Sequence, residues 1–453
     1  MNFSSSTIED FYPYQREVFE AVKDSVLNRR GLTFTVEIAR QGGKNELSAW
    51  LEARFLAQYL EFPLNIVKCA PTFKPQALIS LRRLCDCLDM MNFAGDYAIE
   101  SGHIVRLGDA RAIFMSAEPS ANVVGNTAHL LLEVDEAQDV SIEKFDRDFR
   151  PMAATRNATT VLYGTPWREG NLLDTVKSRN LELERSDGIK RHFRFDWEEV
   201  GRCNADYRSY VEGERARLGE NHPTFRTQYA LQNVSNGGGF FSDEQLISMA
   251  GDFPRCRFPK PGAVYVGGLD FGGEGNAACD STVLTIAEIS TSSPPRGEGR
   301  EMGLHIVNHY SWTGLPYTLL LQKITDAAKG WGLKRLVADA TGLGSPLCSS
   351  LKQSLGHRFV SFVFTASSKS TLGYELLAAA GTGRLQLYAR DGSMECEECW
   401  RQLESAAADY KPNRALNFYV DPSKAHDDYL MSLALTVEAA RRYEPRAAVG
   451  RSQ

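Results

Sequence analysis

Thr33-Phe34-Thr35-Val36-Glu37-Ile38-Ala39-Arg40-Gln41-Gly42-Gly43-Lys44-Asn45-Glu46-Leu47 begins β-rich, breaks at a glycine pair and resumes as a helix former that continues through Ser48-Ala49-Trp50-Leu51-Glu52-Ala53. Strand, glycine turn and helix in that order build an anion site. The turn's N–H groups and the helix N-terminus point at one spot, and Lys44 adds a point charge suited to a β/γ-phosphate. The pattern G-x-x-x-x-G-K-[ST] is matched imperfectly. Ile38 stands where the first Gly belongs, and Asn45 stands where a Ser or Thr hydroxyl would ligate Mg2+. Alone, the turn reads equally well as an ordinary strand-to-helix connection, so the rest of the chain decides.

Downstream, His129-Leu130-Leu131-Leu132-Glu133-Val134-Asp135-Glu136-Ala137-Gln138 is an apolar strand closed by two acids, with Glu133 interrupting the run. A nucleotide hydrolase needs this pair: Asp135 to hold the Mg2+ that bridges phosphates, and Glu136 to polarise the attacking water. Thr159-Thr160-Val161-Leu162-Tyr163-Gly164-Thr165-Pro166 is the next strand, with the Thr165 hydroxyl at its end, placed to sense a γ-phosphate. Upstream, Pro13 opens a helix reaching about Asn28, and Tyr14 and Gln15 sit at its start, where a Gln amide can read an adenine edge. Asn65–Ala70 is a further strand, followed by Pro71-Thr72-Phe73-Lys74-Pro75 and a helix from Gln76 to about Met91; this βαβ unit argues for a parallel sheet. Thr72 and Lys74 are placed to meet a ligand or DNA, and Ala112–Ala117 adds another strand.

At 453 residues the chain exceeds one typical core, and two domains are expected. A net charge of −6 excludes a wholly basic nucleic-acid module but not a local basic groove. The nine Cys residues show neither a disulfide framework nor the four-ligand spacing of a zinc site, as befits reduced thiols. No apolar run reaches a membrane span, and no basic-plus-apolar signal opens the chain. Residues from about 175 to 230 read as mostly helical. Asn236-Gly237-Gly238-Gly239 is the clearest linker, extended by Pro254, Pro259, Pro261 and Gly262.

Beyond residue 262 the pattern starts over. Ala263–Gly272 is a strand carrying Asp270, Asp280–Ile289 a second, and Leu304–Tyr310 a third after a Pro/Gly-rich hairpin loop, Ser290 to Gly303. The helix Tyr317–Gly330 leads to Arg335-Leu336-Val337-Ala338-Asp339, again a strand closed by an acid. His426-Asp427-Asp428 opens an apolar helix running from Tyr429 to about Arg442. Three antiparallel strands followed by helix–strand units is the element order of a ribonuclease-H-like fold, which sets the first and fourth strands side by side and so brings Asp270 and Asp339 together. Asp427 or Asp428 completes the cluster. Such carboxylates repel unless cations neutralise them. Two Mg2+ or Mn2+ ions would do so and would clamp the oxygens of a phosphodiester. His426 or Asp280 would assist; Lys369 could contact DNA but reads more readily as a solvated loop lysine.

A deviant phosphate loop (Arg40-Gln41-Gly42-Gly43-Lys44), the Asp135-Glu136 strand end, Tyr163-Gly164-Thr165-Pro166, a linker and an acid set form an ordered series that resembles the large subunit of tailed-phage terminases over nearly the whole chain. The resemblance implies an α/β chain of two parts: an N-terminal P-loop (RecA/ASCE-like) ATPase with a mostly parallel sheet in 1–235, and, after a linker at 236–262, a C-terminal ribonuclease-H-like nuclease in 263–453. It implies a DNA-packaging motor. ATP with Mg2+ would bind through Gln15, Arg40, Gln41, Gly42, Gly43, Lys44, Asn45 and Asp135, with Glu136 as the catalytic carboxylate and Thr165 as the coupling residue. The nuclease would cut concatemeric DNA through Asp270, Asp339 and Asp428, or Asp427. Implied partners are double-stranded DNA, a small terminase subunit and the portal ring, on which several copies assemble in the host cytoplasm, with no membrane. A neighbouring copy would lend an arginine, Arg106 or Arg111. Two other readings stay open: a helicase-like translocase with a fused nuclease for repair or restriction, and a DNA-binding packaging component whose ATPase site is dead.

Overall fold

A computed structural model describes residues 11–123, 125–234, 238–273, 280–292, 301–342, 344–423 and 426–443. The chain divides into two compact units, 1–213 with 224–235 and 214–223 with 236–453.

The first unit is built on an eight-stranded sheet. Its strands are β1 (Thr33–Ile38), β2 (Asn65–Ala70), β3 (Tyr97–Glu100), β4 (Ile104–Leu107), β5 (Ala110–Ser116), β6 (Leu131–Val134), β7 (Thr159–Gly164) and β8 (His192–Phe195), in the spatial order β3-β4-β5-β2-β6-β7-β1-β8. From β5 to β8 every pairing is parallel; β3 and β4 turn back antiparallel at one edge. Helices cover both faces of such a sheet, so β6 and β7 are buried at every residue. The helices α1 (Pro13–Leu27), α2 (Lys44–Gln58) and α3 (Leu78–Met90) precede or follow β1 and β2.

Register does the positioning. Glu37 pairs with Gly164, and Val134 pairs with Leu162. The loop after β1, Asp135 after β6 and Thr165 after β7 therefore emerge together at the carboxyl ends of three neighbouring strands, where open parallel sheets bind ligands.

In the second unit a six-stranded sheet runs β13-β12-β9-β10-β11-β14, from β9 (Val264–Asp270), β10 (Thr282–Ser292), β11 (Glu301–Trp312), β12 (Arg335–Asp339), β13 (Phe359–Phe362) and β14 (Leu385–Leu387). β9, β10 and β11 form an antiparallel meander, while β12 joins β9 in parallel with Ala338 opposite Leu269. The first and fourth strands are neighbours, as the ribonuclease-H-like order requires. A separate antiparallel ribbon pairs β15 (Ala406–Tyr410) with β16 (Leu416–Val420).

The helix Asp428–Ala440 packs on β9 at unusually close range. A Cβ on Gly268 would lie 2.2 Å from the Ser432 carbonyl oxygen, so only glycine lets helix and strand meet. The Ser432 hydroxyl, 2.9 Å from the Gly268 carbonyl, fastens the contact. This approach sets the helix's first residue, Asp428, over the end of β9.

The structure departs from the sequence reading in three places. The segment from 175 to 230 is mostly helical, as read, but a strand not singled out, β8, lies within it and pairs with β1, its Phe193 and Phe195 buried on alternate residues. Four residues, two of them charged or His, are too few to show a period. The β3–β4 hairpin was likewise not expected. The linker region contains the helix Asp243–Met249, opened by a capping box from Ser242 and Gln245. Residues 236 and 237 of that linker, and 293–300 of the expected hairpin loop, lie outside the described residues. Among the described residues no helix is long and apolar enough to cross a membrane, and eight cysteines are free thiols.

Candidate nucleotide site and acidic site

After β1 the backbone is held by its neighbours. The Ala39 N–H bonds the Phe195 carbonyl at 2.9 Å, and the Arg40 N–H bonds the Gln228 carbonyl at 2.7 Å. Gln41 and Gly43 adopt left-handed backbone, with φ of 64° and 86°. Gly43 is the N-cap of α2, and a Cβ there would lie 2.4 Å from the Gln15 amide nitrogen. Lys44 and Asn45 open α2; both are partly buried, whereas Arg40 and Gln41 are exposed.

Lys44 Nζ lies 2.6 Å from Glu136 Oε1 and 3.9 Å from Asp135 Oδ1. The lysine of the glycine turn and the acid pair of β6, 91 and 92 positions apart in sequence, thus share one site. Glu136 has φ 47°, a left-handed conformation that costs a residue with a Cβ about 1–3 kcal/mol and that concentrates at functional positions. Gln138 Nε2 donates to the other Glu136 oxygen at 2.5 Å. Thr165 is buried beside them, its N–H 3.2 Å from Gln138 Oε1 and its hydroxyl 3.0 Å from Gln228 Nε2.

A cavity of about 1000 Å³ adjoins the turn, lined by Tyr12, Gln15, Gly43, Trp50, Arg83 and Asn204 among others. Gln15 reaches it, but the amide is engaged at both ends: Nε2 donates to the Gly43 carbonyl at 3.3 Å, and Oε1 accepts the Tyr12 N–H at 3.1 Å. The Tyr14 hydroxyl donates to the Gly42 carbonyl at 2.8 Å, so Tyr14 braces the turn from below. Thr72 is turned inward to Gln76, with N and Oγ1 at 3.0 and 2.9 Å from Gln76 Oε1, and Lys74 is exposed. Arg106 and Arg111 face each other across the β4–β5 hairpin, well away from β1 in the sheet, and Arg106 binds Glu100 at 2.6 Å.

Sequence reasoning missed a buried polar cluster directly beneath this site. Lys68 Nζ on β2 donates to Ser48 Oγ and Glu52 Oε1 on α2 at 2.7 and 2.8 Å. Ser48 and the Tyr163 hydroxyl on β7 both donate to Glu133 Oε1 on β6, at 2.8 and 2.9 Å. All five side chains are buried. Burial works to lower the Lys68 ammonium's pKa, but the carboxylates of Glu52, Glu133 and Asp135 outweigh it and hold it raised. Burial, then the Glu52 charge, pushes Glu133 well above the usual carboxylate range. A hydrogen bond with Glu52 raises it further, and Glu52 Oε2 and Glu133 Oε2 are both buried without another described partner. The signal was Glu133 itself, an acid inside an apolar strand.

The acidic site of the second unit gathers at the ends of β9 and β12. Burial comes first, followed by the charges of Asp428, Asp339, Asp427 and Asp280, in raising Asp270 well above the carboxylate range. Asp428 is pushed up to about 6, chiefly by burial, while its Oδ2 accepts the Ser281 N–H at 2.9 Å. Burial also raises Asp427, against the opposing charge of Lys369. Lys369 itself sits 5.4 Å from the centre of the Phe418 ring. Asp339 Oδ1 caps the following turn through the Thr341 N–H at 2.8 Å, and His426 Nδ1 lies 2.5 Å from Asp280 Oδ1, both exposed. The donors are all hard oxygens, the chemistry that Mg2+ and Mn2+ take. As the side chains stand, no group of three or more His, Cys, Asp or Glu among the described residues is drawn together to hold an ion. The acids feel one another's charge without forming a shell.

Two α/β units, one with a glycine-turn lysine against an acid pair and one with clustered carboxylates on a ribonuclease-H-like sheet, define the class. Among solved structures the chain is similar to the large terminase of a thermophilic bacteriophage (12% identity, TM-score 0.52), with 96% of this chain and 100% of that one covered. It is also similar to the large terminase of bacteriophage HK97 (16%, TM-score 0.42, 95% of each chain) and to the large terminase nuclease of thermophilic phage G20c (20%, TM-score 0.35, 46% of this chain and 99% of that one). No family model and no curated protein matches the sequence. The likeness to the first of these, which spans both units, identifies the fold: the chain is a fold relative of the phage large terminases.

Proposed function

We propose that the chain is a viral DNA-packaging motor subunit. It hydrolyses ATP in the first unit to translocate double-stranded DNA, and cuts concatemeric DNA in the second, working with a small terminase subunit and a portal ring in the infected host cell. The observation that carries this reading is Lys44 at 2.6 Å from Glu136, with Thr165 linked to the same carboxylate through Gln138.

On this reading the phosphates of ATP compete with Glu136 for Lys44. The N–H groups of the Gln41–Lys44 turn take the phosphate oxygens, with Arg40 beside them. Asp135, with Asn45 in the place of the usual hydroxyl, would hold the nucleotide's Mg2+, which supplies charge neutralisation. Glu136, its Oε1 released by Lys44, accepts the proton of the attacking water, and the Thr165 hydroxyl reads the γ-phosphate. An arginine, Arg106 or Arg111, would serve the next copy; they lie on β4 and β5, well away from β1 in the sheet. In the second unit Asp270, Asp339 and Asp428, with Asp427 adjacent, would hold divalent ions, which supply charge neutralisation and an activated water at the phosphodiester. The raised carboxyls of Asp270 and Asp428 must lose their protons to do so.

Two assays on the full chain test this reading. Lys44→Ala is expected to abolish ATP turnover and leave Mn2+-dependent plasmid cleavage intact; Asp270→Ala or Asp339→Ala is expected to do the converse. Turnover retained in Lys44→Ala sinks the ATPase assignment, and cleavage retained in Asp270→Ala sinks the nuclease assignment.

A further inference from the structure

We propose that Gln138 and Gln228 are positioning residues that hold Thr165 between the hydrolytic carboxylate and the phosphate loop; this rests on the ATPase reading above. Thr165 offers two groups, and each is held by a different glutamine. Its N–H goes to Gln138 Oε1 at 3.2 Å, and the opposite end of that amide, Nε2, donates to Glu136 Oε2 at 2.5 Å, with Asp139 Oδ2 at 3.3 Å. Only one orientation of the amide serves both partners, because a carboxylate accepts and an N–H donates. The Thr165 hydroxyl accepts from Gln228 Nε2 at 3.0 Å, and the main-chain carbonyl of Gln228 accepts the Arg40 N–H at 2.7 Å. The path from Glu136 through Gln138, Thr165 and Gln228 to Arg40 is therefore unbroken.

The backbone is shaped to permit the bridge. Glu136 takes its left-handed conformation and Ala137–Asp139 closes a single 3-10 turn, which folds Gln138 back over the acid. Gly164 leaves the space: a Cβ there would lie 2.2 Å from Gln138 Oε1. Both glutamines are buried, so neither amide exchanges its partners for water.

The chemistry gives each glutamine a separate task. Gln138 holds Glu136 by the oxygen that Lys44 does not bind, so the carboxylate keeps its orientation when Lys44 turns to phosphate. Gln228 donates to the Thr165 oxygen and so leaves the hydroxyl proton to point at an anion. A loss of the γ-phosphate at Thr165 is thereby relayed to Gln228 and, through its main chain, to Arg40.

The test is steady-state ATP turnover by the full chain with DNA present, together with affinity for a fluorescent ATP analogue and thermal unfolding. Gln138→Glu keeps the shape and the acceptor for Thr165 but removes the donor and sets a charge against Glu136. We expect kcat to fall at least about tenfold with KM and analogue affinity within about twofold, since no nucleotide contact is lost. Gln228→Glu takes the Thr165 proton instead of leaving it free, so it is expected to be slower than Gln228→Ala although it is nearer in shape to the native residue. A packing role predicts the opposite order and a kcat that tracks the melting temperature. Wild-type kcat in both glutamate variants, or alanine slower than glutamate at position 228, overturns the proposal. A wild-type chain no faster than Lys44→Ala overturns the ATPase reading and this inference with it.

Discussion

Asp428 shows how far one carboxylate in the acidic site is displaced by its surroundings. Its pKa is pushed from the ordinary 3.8 to about 6, so the folded chain retains a proton that the unfolded chain has released across that window. The associated stabilisation is complete below the ordinary value and is lost as pH rises through about 6. Asp428→Asn removes the dependence. Without added divalent ion, the variant is expected to gain stability on wild type by up to about 3 kcal/mol as pH rises from acid to neutral, a shift of about two units at roughly 1.36 kcal/mol each. Added Mn2+ at high pH should reverse the order, raising the wild-type midpoint more than the variant's. Urea denaturation at several pH values, with and without Mn2+, reads both, and parallel curves would show that the carboxyl is not displaced. Asp270, Asp339 and the Asp427-Asp428 pair were legible as candidate acids because each closes or opens an element. The pKa displacements were not, since they arise from burial and from neighbours far away in sequence.

Between elements, the cluster of Lys68, Glu52, Ser48, Glu133 and Tyr163 ties β2 to α2, β6 and β7, and the last three lead into Lys44, Asp135 and Thr165 at their ends. Its role is to hold these ends in register. Lys68→Met is expected to cost about 3–5 kcal/mol, because it strands the Glu52 carboxylate in the interior. Glu133→Gln, which copies the neutral form, is expected to cost far less. Chemical denaturation of the two variants decides the assignment of the proton; a Glu133→Gln variant as unstable as Lys68→Met would place the charge on Glu133. The strands β2, β6 and β7 could be read in the sequence from their apolar runs. The cluster could not, because Lys68 and Glu133 look like ordinary interruptions until the sheet order places them side by side beneath one helix. β8 and the β3–β4 hairpin escaped for a related reason: four residues carry too little period, and their pairing with β1 and β5 supplies what their sequence lacks.

At the scale of the molecule, the proposed packaging function requires a net charge of −6 to coexist with a grip on DNA, and such a grip would be local and made to phosphates. Binding to duplexes of unrelated sequence is expected to be equal within a few-fold and to weaken by at least about tenfold between roughly 50 and 200 mM salt; a strong sequence preference, or binding indifferent to salt, would count against a packaging motor. The sequence by itself determined the two-part plan, the order of the motifs and the residue types at each element end, because these depend on local period and on glycine, acid and lysine chemistry read along the chain. Only the tertiary structure decided which of those ends meet. It set Lys44 on Glu136, engaged Gln15 with the turn it flanks, turned Thr72 away to Gln76, buried Glu133 beside Glu52 so that its pKa rises and put two unremarked glutamines on either side of Thr165. Hydrogen bonds, desolvation and charge–charge fields act over a few ångströms of space whatever the separation in sequence, and that proximity exists only once the sheets have formed.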